Sequence, residues 1–312
     1  MNDVPDANGG PMTEPVRYTS PDEDSARWRD FPYRDGDIVV STRSKTGTTW
    51  VQTICALLVF QTPDLPAPLA ELSPWVDHLV DPREEVFARL AAQRHRRFVK
   101  THTPLDGIPL HPGAYYLVTA RDPLDAFVSL CHQGANFDRE RLHQRLGLPP
   151  PSGPPRERPP LHDRLVRWIH ADADPRRDLD SLPGVLAHLA DAWARRGQPN
   201  VTLVHYDDLS AGLAGEMRRL SAWLGISVPE DRWPALVRAA TFGEMRAHAS
   251  ERVPTAGVFL SDAAFFRRGT SGAGRELLSP DELAAYRDRV AALAPPDLLA
   301  WLHAPGQHPL AP

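Results

Sequence analysis

Cysteine is scarce in this chain. Cys55 and Cys131 are the only two, with no CxxC pair and no Cys/His spacing of the metal-binding kind, which excludes a disulfide framework and the common zinc modules. Cys55 lies in an apolar run and reads as packing. No hydrophobic stretch approaches the length of a membrane span. The opening MNDVPDANGGPMTEP lacks both a basic start and an apolar core, so no secretory signal is legible and the cytoplasm is the expected compartment. Basic charge is not in excess either: 35 Lys and Arg against 40 Asp and Glu give a net charge of −5, with a pI near 6.2. That balance argues against nucleic acid or a membrane surface as partner, and any anion site must be locally focused. Proline is abundant at 33 of 312 residues and implies long, stiffened loops.

With 42% hydrophobic residues the chain can bury a sizeable core, and one α/β domain is expected. Residues 1–25, polar and rich in Pro, Gly and acids, read as a flexible tail; 26–312 read as the domain, with a Pro-rich insert at 136–163. The stretch around which the rest is organised is DIVVSTRSKTGTTWVQTICALLVF, from Asp37 to Phe60. Ile38, Val39 and Val40 form a β-branched run suited to a buried parallel strand, and a helix follows from about Trp50 until Thr62 and Pro63 stop it. Strand, polar turn and helix make the geometry of a phosphate site. The first helical N–H groups lack intrahelical partners, the dipole is positive there, and Gly47 allows close approach to the main chain. Lys45, Thr46, Thr48 and Thr49 add a cation and three hydroxyls.

The lysine precedes the glycine and no glycine opens the loop, unlike the Walker pattern GxxxxGK[ST]. Lys45-Thr46-Gly47-Thr48-Thr49-Trp50 instead resembles the KSGTTW loop of the cytosolic-type sulfotransferases, which holds the 5′-phosphosulfate of 3′-phosphoadenosine 5′-phosphosulfate (PAPS). The resemblance extends from about Asp35 to Arg275. Lys100-Thr101-His102-Thr103-Pro104 is similar to the family's KTHLP, whose histidine is the general base. YYLVTARDPLDAFVSL is similar to the strand and helix whose arginine and serine grip the 3′-phosphate, which implies that role for Arg121 and Ser129. Taken without the family, Arg121 is equally a surface ion pair with Asp122 or Asp125. The strand ending at His205 resembles the family's YEDL segment and puts Tyr206 near the adenosine. Phe242 and Met245 match TSFxxM, with Ala240 where the family has threonine. Arg267, Arg268 and Gly269 match FxRKGxxG, the second clamp on the 3′-phosphate. The GDWK continuation is absent after Gly272, which questions the ordering of that loop.

What the resemblance implies is a P-loop-like central parallel sheet flanked by helices on both faces. Its implied activity is transfer of a sulfuryl group from PAPS, with adenosine 3′,5′-bisphosphate (PAP) as co-product, to a hydroxyl or amine of a small-molecule acceptor. His102 would take the acceptor's proton, Lys45 would stabilise the leaving phosphate and Lys100 the sulfuryl oxygens. A sulfuryl group carries less charge than a phosphoryl group, so fixed cations suffice and no metal is expected. Trp50 has two readings, a core residue or a ring stacked on adenine, and Trp75 likewise two, a wall of the acceptor pocket or core. Arg43 and Ser44 depart from the aromatic and proline common in the family, a change expected to touch the loop's rigidity more than its chemistry. The alternatives are a P-loop nucleotide-dependent kinase, which would need Mg²⁺ and would leave the 3′-phosphate residues without a job, and a non-catalytic nucleotide-binding protein, which would need no base. A homodimer is the family's frequent assembly, though no segment near the C-terminus matches the one it uses.

Overall fold

The structure is a computed structural model, and it describes residues 14–145, 147–151, 157–253 and 257–304. Four parallel strands form the centre: β1 (Ile38–Thr42), β2 (Phe98–Thr101), β3 (Tyr115–Ala120) and β4 (Val201–His205), in the order β2-β1-β3-β4. Every residue of β1, β2 and β4 is buried, as a parallel sheet covered on both faces requires. Side chains alternate between faces along a strand. Val39, Val99, Tyr116 and Val118 accordingly join one core with the helices Leu182–Ala194 and Pro296–His303. Ile38, Val40, Phe98 and Leu117 join the other, against α1 (Thr48–Phe60) and the helices Tyr206–Trp223 and Trp233–Ala239. The expected sheet with helices on both faces is therefore what the chain forms.

The strand order makes the chain leave β1 toward β2 and return across it to β3. The crevice between β1 and β3, at the carboxyl edge, is the topological switch point where open parallel sheets bind ligands. The turn after β1, His102 after β2, Arg121 after β3 and Tyr206 after β4 all fall on that edge.

Tyr206, directly after the strand, is already the first residue of a helix, because the His205 side chain accepts from the Asp207 N–H and caps the helix at once. That helix runs to Trp223 and kinks at Gly212. The Pro-rich insert contains the helix Arg139–Arg145 and the start of Leu161–His170, while 146 and 152–156 lie outside the described residues.

The expected tail needs correction. Residues 1–13 lie outside the described residues, but those from 14 to 25 pack onto the domain. Tyr18 is buried with its hydroxyl on Asp106, the Val16 N–H donates to the Asp106 carbonyl, and Glu23 bridges His78 in antiparallel fashion. Composition marked the segment as polar. It could not show that those polar groups find partners in the loops beside β2. Among the described residues, no helix is long and apolar enough to cross a membrane.

Candidate active site

The turn after β1 is tightly curled. Lys45 takes a positive φ of 66° and Gly47 one of 114°, successive bends of the kind that build anion-binding nests. Gly47 caps α1 without any side-chain cap, which leaves the first amides of the helix for a ligand. A Cβ at Gly47 would approach the Tyr206 ring to 3.2 Å, in a backbone conformation that L side chains rarely adopt. Thr48 Oγ1 meets Thr42 Oγ1 at 2.5 Å and fixes the helix start to the strand end.

A cavity of about 560 Å³ opens over this turn. Lys45, Gly47, Thr48, Thr49, Trp50, Lys100, His102, Arg121, Ser129, Tyr206, Phe242, Met245, Arg267, Arg268 and Gly269 all line it. Of the residues expected at the site only Thr46 does not. Its hydroxyl turns inward to the Arg43 carbonyl at 2.8 Å and to Thr119 Oγ1 at 2.9 Å, so its side chain braces the turn instead. Trp50 is buried, its indole N–H donating to the Ala240 carbonyl at 2.8 Å, and its ring lines the cavity edge-on to Tyr206. Because the bond goes to a backbone oxygen, alanine at position 240 does not weaken it.

On one side of the cavity the cations converge. The Arg121 guanidinium lies 4.0 Å over the Tyr206 ring and donates to the Thr270 carbonyl at 2.9 Å, which ties β3 to the loop carrying Arg267 and Arg268. Asp122 pairs instead with Arg275, and Asp125 accepts from the amides of Gly272 and Gly274, so this loop is pinned although it lacks the GDWK continuation. Arg121 Nε is buried and without a hydrogen-bond partner. Gly269 has a φ of 69°, and a Cβ there would sit 2.7 Å from the Phe242 ring, so only glycine lets the arginine loop close over that ring. Lys45 Nζ rests 3.8 Å from the Phe265 ring centre. Burial, with Arg121 and Lys100 nearby, lowers its pKa to about 7. Such crowding of cations is costly until an anion arrives.

The other side holds the histidine. Lys100 pairs through its backbone with the segment around Trp75, and its ammonium lies 3.3 Å over the Trp75 ring. Burial brings the Lys100 pKa to about 7, against the pull of Glu23 and Asp77. Asp77 accepts from the Thr101 hydroxyl at 2.5 Å and from the amides of His102 and Thr103, and so holds the end of β2. His102 Nδ1 bonds to the Thr42 carbonyl. A carbonyl only accepts, so Nδ1 carries the proton and Nε2 is left as the basic nitrogen. Burial and the neighbouring Lys100 and Arg43 hold the imidazole well below its ordinary range, hence neutral.

Sequence reasoning missed the charges behind this histidine. Arg43 was expected to matter for loop rigidity; it is instead fully buried, donating to the His102 carbonyl and to Asp180 Oδ1 at 2.8 Å, with Glu23 Oε2 at 3.6 Å. Its departure from the family's usual aromatic was the one available signal, and nothing local named its partners.

Comparison with known proteins identifies the family. A glycolipid sulfotransferase of Mycobacterium bovis is 43% identical over 313 residues, spanning 94% of this chain and 95% of the relative. Cytosolic sulfotransferase 13 of Arabidopsis thaliana is 32% identical, over 80% of this chain and 74% of its own. Among solved structures, a mouse sulfotransferase complexed with PAP superposes with a TM-score of 0.63 at 18% identity, covering 86% of each chain. A retinol dehydratase complexed with androsterone and PAP gives 0.61 at 20%, covering 91% of this chain and 86% of that one. The sulfotransferase domain family matches residues 35–294, from the strand that opens the phosphate turn to the helices behind the sheet. The chain belongs to the sulfotransferase family and is an enzyme of that class.

Proposed function

We propose that the chain moves a sulfuryl group from PAPS to a hydroxyl of a glycolipid, with His102 as the general base. The observation that carries this reading is the division of one cavity: Lys45, Arg121, Arg267 and Arg268 gather on one side with an uncapped helix start, and a neutral His102 stands on the other. The residues fit PAPS. Arg121 Nε lacks a partner that a 3′-phosphate would provide, the curled turn lets a 5′-phosphate reach the α1 amides, and the Trp50, Tyr206 and Phe242 rings bound a place for adenine.

When bound, PAPS supplies a sulfuryl group on a phosphate leaving group. His102 Nε2 takes the acceptor hydroxyl's proton as that oxygen forms its bond to sulfur and the bond from sulfur to the phosphate oxygen breaks. Lys45 bears against the charge that collects on the leaving phosphate oxygen, and Lys100 against the sulfuryl oxygens. Arg43 and Asp77 hold the histidine and the end of β2 in place. The glycolipid acceptor follows the name of the M. bovis relative, whose similarity runs nearly the whole chain.

Calorimetric titration tests the donor: PAP should bind without metal, and Arg121→Ala should weaken it about 10- to 100-fold, the loss expected for a charged hydrogen-bonding partner. Binding of Mg-ATP alone would overturn the reading in favour of a kinase. Transfer of labelled sulfate to a glycolipid, and not to its lipid portion alone, tests the acceptor.

A further inference from the structure

Glu23 lies in the segment that composition marked as a loose tail, yet its backbone is fixed. It bridges His78, its carbonyl accepts from the Ser20 N–H at 2.9 Å, and the next residue donates to the Asp77 carbonyl at 2.9 Å. The side chain is 6% exposed and lines the cavity beside Lys100 and His102. Its nearest cation is Arg43, but the 3.6 Å between Nη1 and Oε2 is too long for a hydrogen bond, and Arg43 already serves Asp180 and the His102 carbonyl. Oε2 is buried with no hydrogen-bond partner.

A carboxyl group in that position is expensive. Removing it from water without replacing its hydrogen bonds is unfavourable even for a neutral polar group. Burial raises the Glu23 pKa to about 8, with Arg43 opposing and Asp77, Asp180 and Asp22 adding to the rise. The protein spends its buried arginine on holding His102; Glu23 Oε2 is closed off beside that arginine, and what exposure the residue keeps is on the cavity wall. A group built only to steady Arg43 would meet it at hydrogen-bonding distance, as Asp180 does.

With Oε2 closed off, the other carboxyl oxygen is the one that can meet a group in the cavity. Resting on the sulfotransferase reading above, we propose that Glu23 receives a hydrogen bond from a second hydroxyl of a saccharide acceptor, beside the hydroxyl whose proton passes to His102. The carboxyl group retains an accepting oxygen in either protonation state. An acceptor with one hydroxyl, such as a simple alcohol or phenol, has nothing to offer Glu23 once that hydroxyl faces the histidine. The inferred acceptor class is therefore a polyol headgroup, in which neighbouring hydroxyls are read together, and Glu23 is a determinant of specificity.

The test compares two acceptors in one enzyme preparation. Octyl β-glucoside offers several hydroxyls and 1-octanol one. Initial rates at saturating PAPS give kcat/KM for each, and their ratio does not depend on the fraction of active protein, so partial misfolding of a variant cannot imitate the effect. The ratio favours the glucoside in the wild type; Glu23→Ala lowers it about 10- to 100-fold, and Glu23→Gln, which keeps an accepting oxygen, lowers it less. A ratio unmoved by Glu23→Ala overturns the proposal, as does a wild type that prefers octanol. Calorimetric binding of the glucoside to PAP-loaded protein separates the two layers: an affinity that falls in Glu23→Ala supports the contact even where no transfer is seen, whereas absence of PAP binding sinks the reading of the donor on which the proposal rests.

Discussion

The two sides of the cavity are built in different ways. The donor side is made from short contiguous stretches, the turn at 44–47 with the start of α1, the end of β3, and the loop 267–272, and its binding groups are backbone amides and cations. The acceptor side brings together Glu23, Arg43, Trp75, Asp77, Lys100, His102 and Asp180, which sit in five separate segments of the chain and are joined by buried hydrogen bonds and ion pairs. A phosphate is the same in every reaction and can be met by a local motif. An acceptor differs from enzyme to enzyme, and its site is assembled from whatever the loops bring.

If the division is real, substitutions should separate along it, and the sharpest case is His102. His102→Ala should lower kcat by about 10²- to 10⁴-fold, the usual range for a positioned general base, and leave PAP affinity within about threefold. Single-turnover rates and calorimetry on the same protein would check both. A comparable loss of PAP affinity would break the division, since the histidine would then be part of the donor side as well.

Arg43 gives the next effect, on stability. Arg43→Met removes the cation that opposes the rise of the Glu23 pKa and the donor to the His102 carbonyl and Asp180, which should cost about 1–3 kcal/mol in urea unfolding. Asp180 is partly exposed and can hydrate, so most of the loss should belong to Glu23. The double variant Arg43→Met with Glu23→Gln should recover part of it, and more as pH rises, because a buried carboxyl group that must stay protonated in the folded state is gone. Additive losses would mean that the two residues do not act as an electrostatic pair.

The same contrast explains what the sequence made legible. The β-branched run 38–40, the KTGTTW turn and the KTH segment are local patterns, and each element they imply forms within a few residues of its expected place. The sheet and its flanking helices follow from them. The direction of the Thr46 hydroxyl was not legible, because a hydroxyl in a phosphate turn looks the same whether it faces the ligand or the strand beneath; only the register with Thr119 decides. Glu23 is one acid among 40 Asp and Glu, and nothing near it in the chain says that it will be buried against a residue 20 positions later. Partners distant in sequence leave no periodicity to read.

A last and smaller effect distinguishes the two lysines by pH. Both Lys45 and Lys100 are brought to about 7, chiefly by burial. A bound anion favours the charged form, so a lysine that touches it has a higher pKa in the complex than in the free protein. Affinity is then greatest below the free value and falls as pH rises through 7, by up to about tenfold per unit for each lysine engaged. PAP has no sulfuryl group, so it should engage Lys45 on the donor side and leave Lys100 little changed. PAP binding measured from pH 6 to 9 should therefore show a limiting slope near one, with proton uptake visible as a dependence of the heat on buffer ionisation, and Lys45→Met should flatten it. A slope near two that survives loss of Lys45 in part would show that Lys100 also feels the phosphates, and that the border between the two sides runs closer to His102 than the placement of the cations suggests.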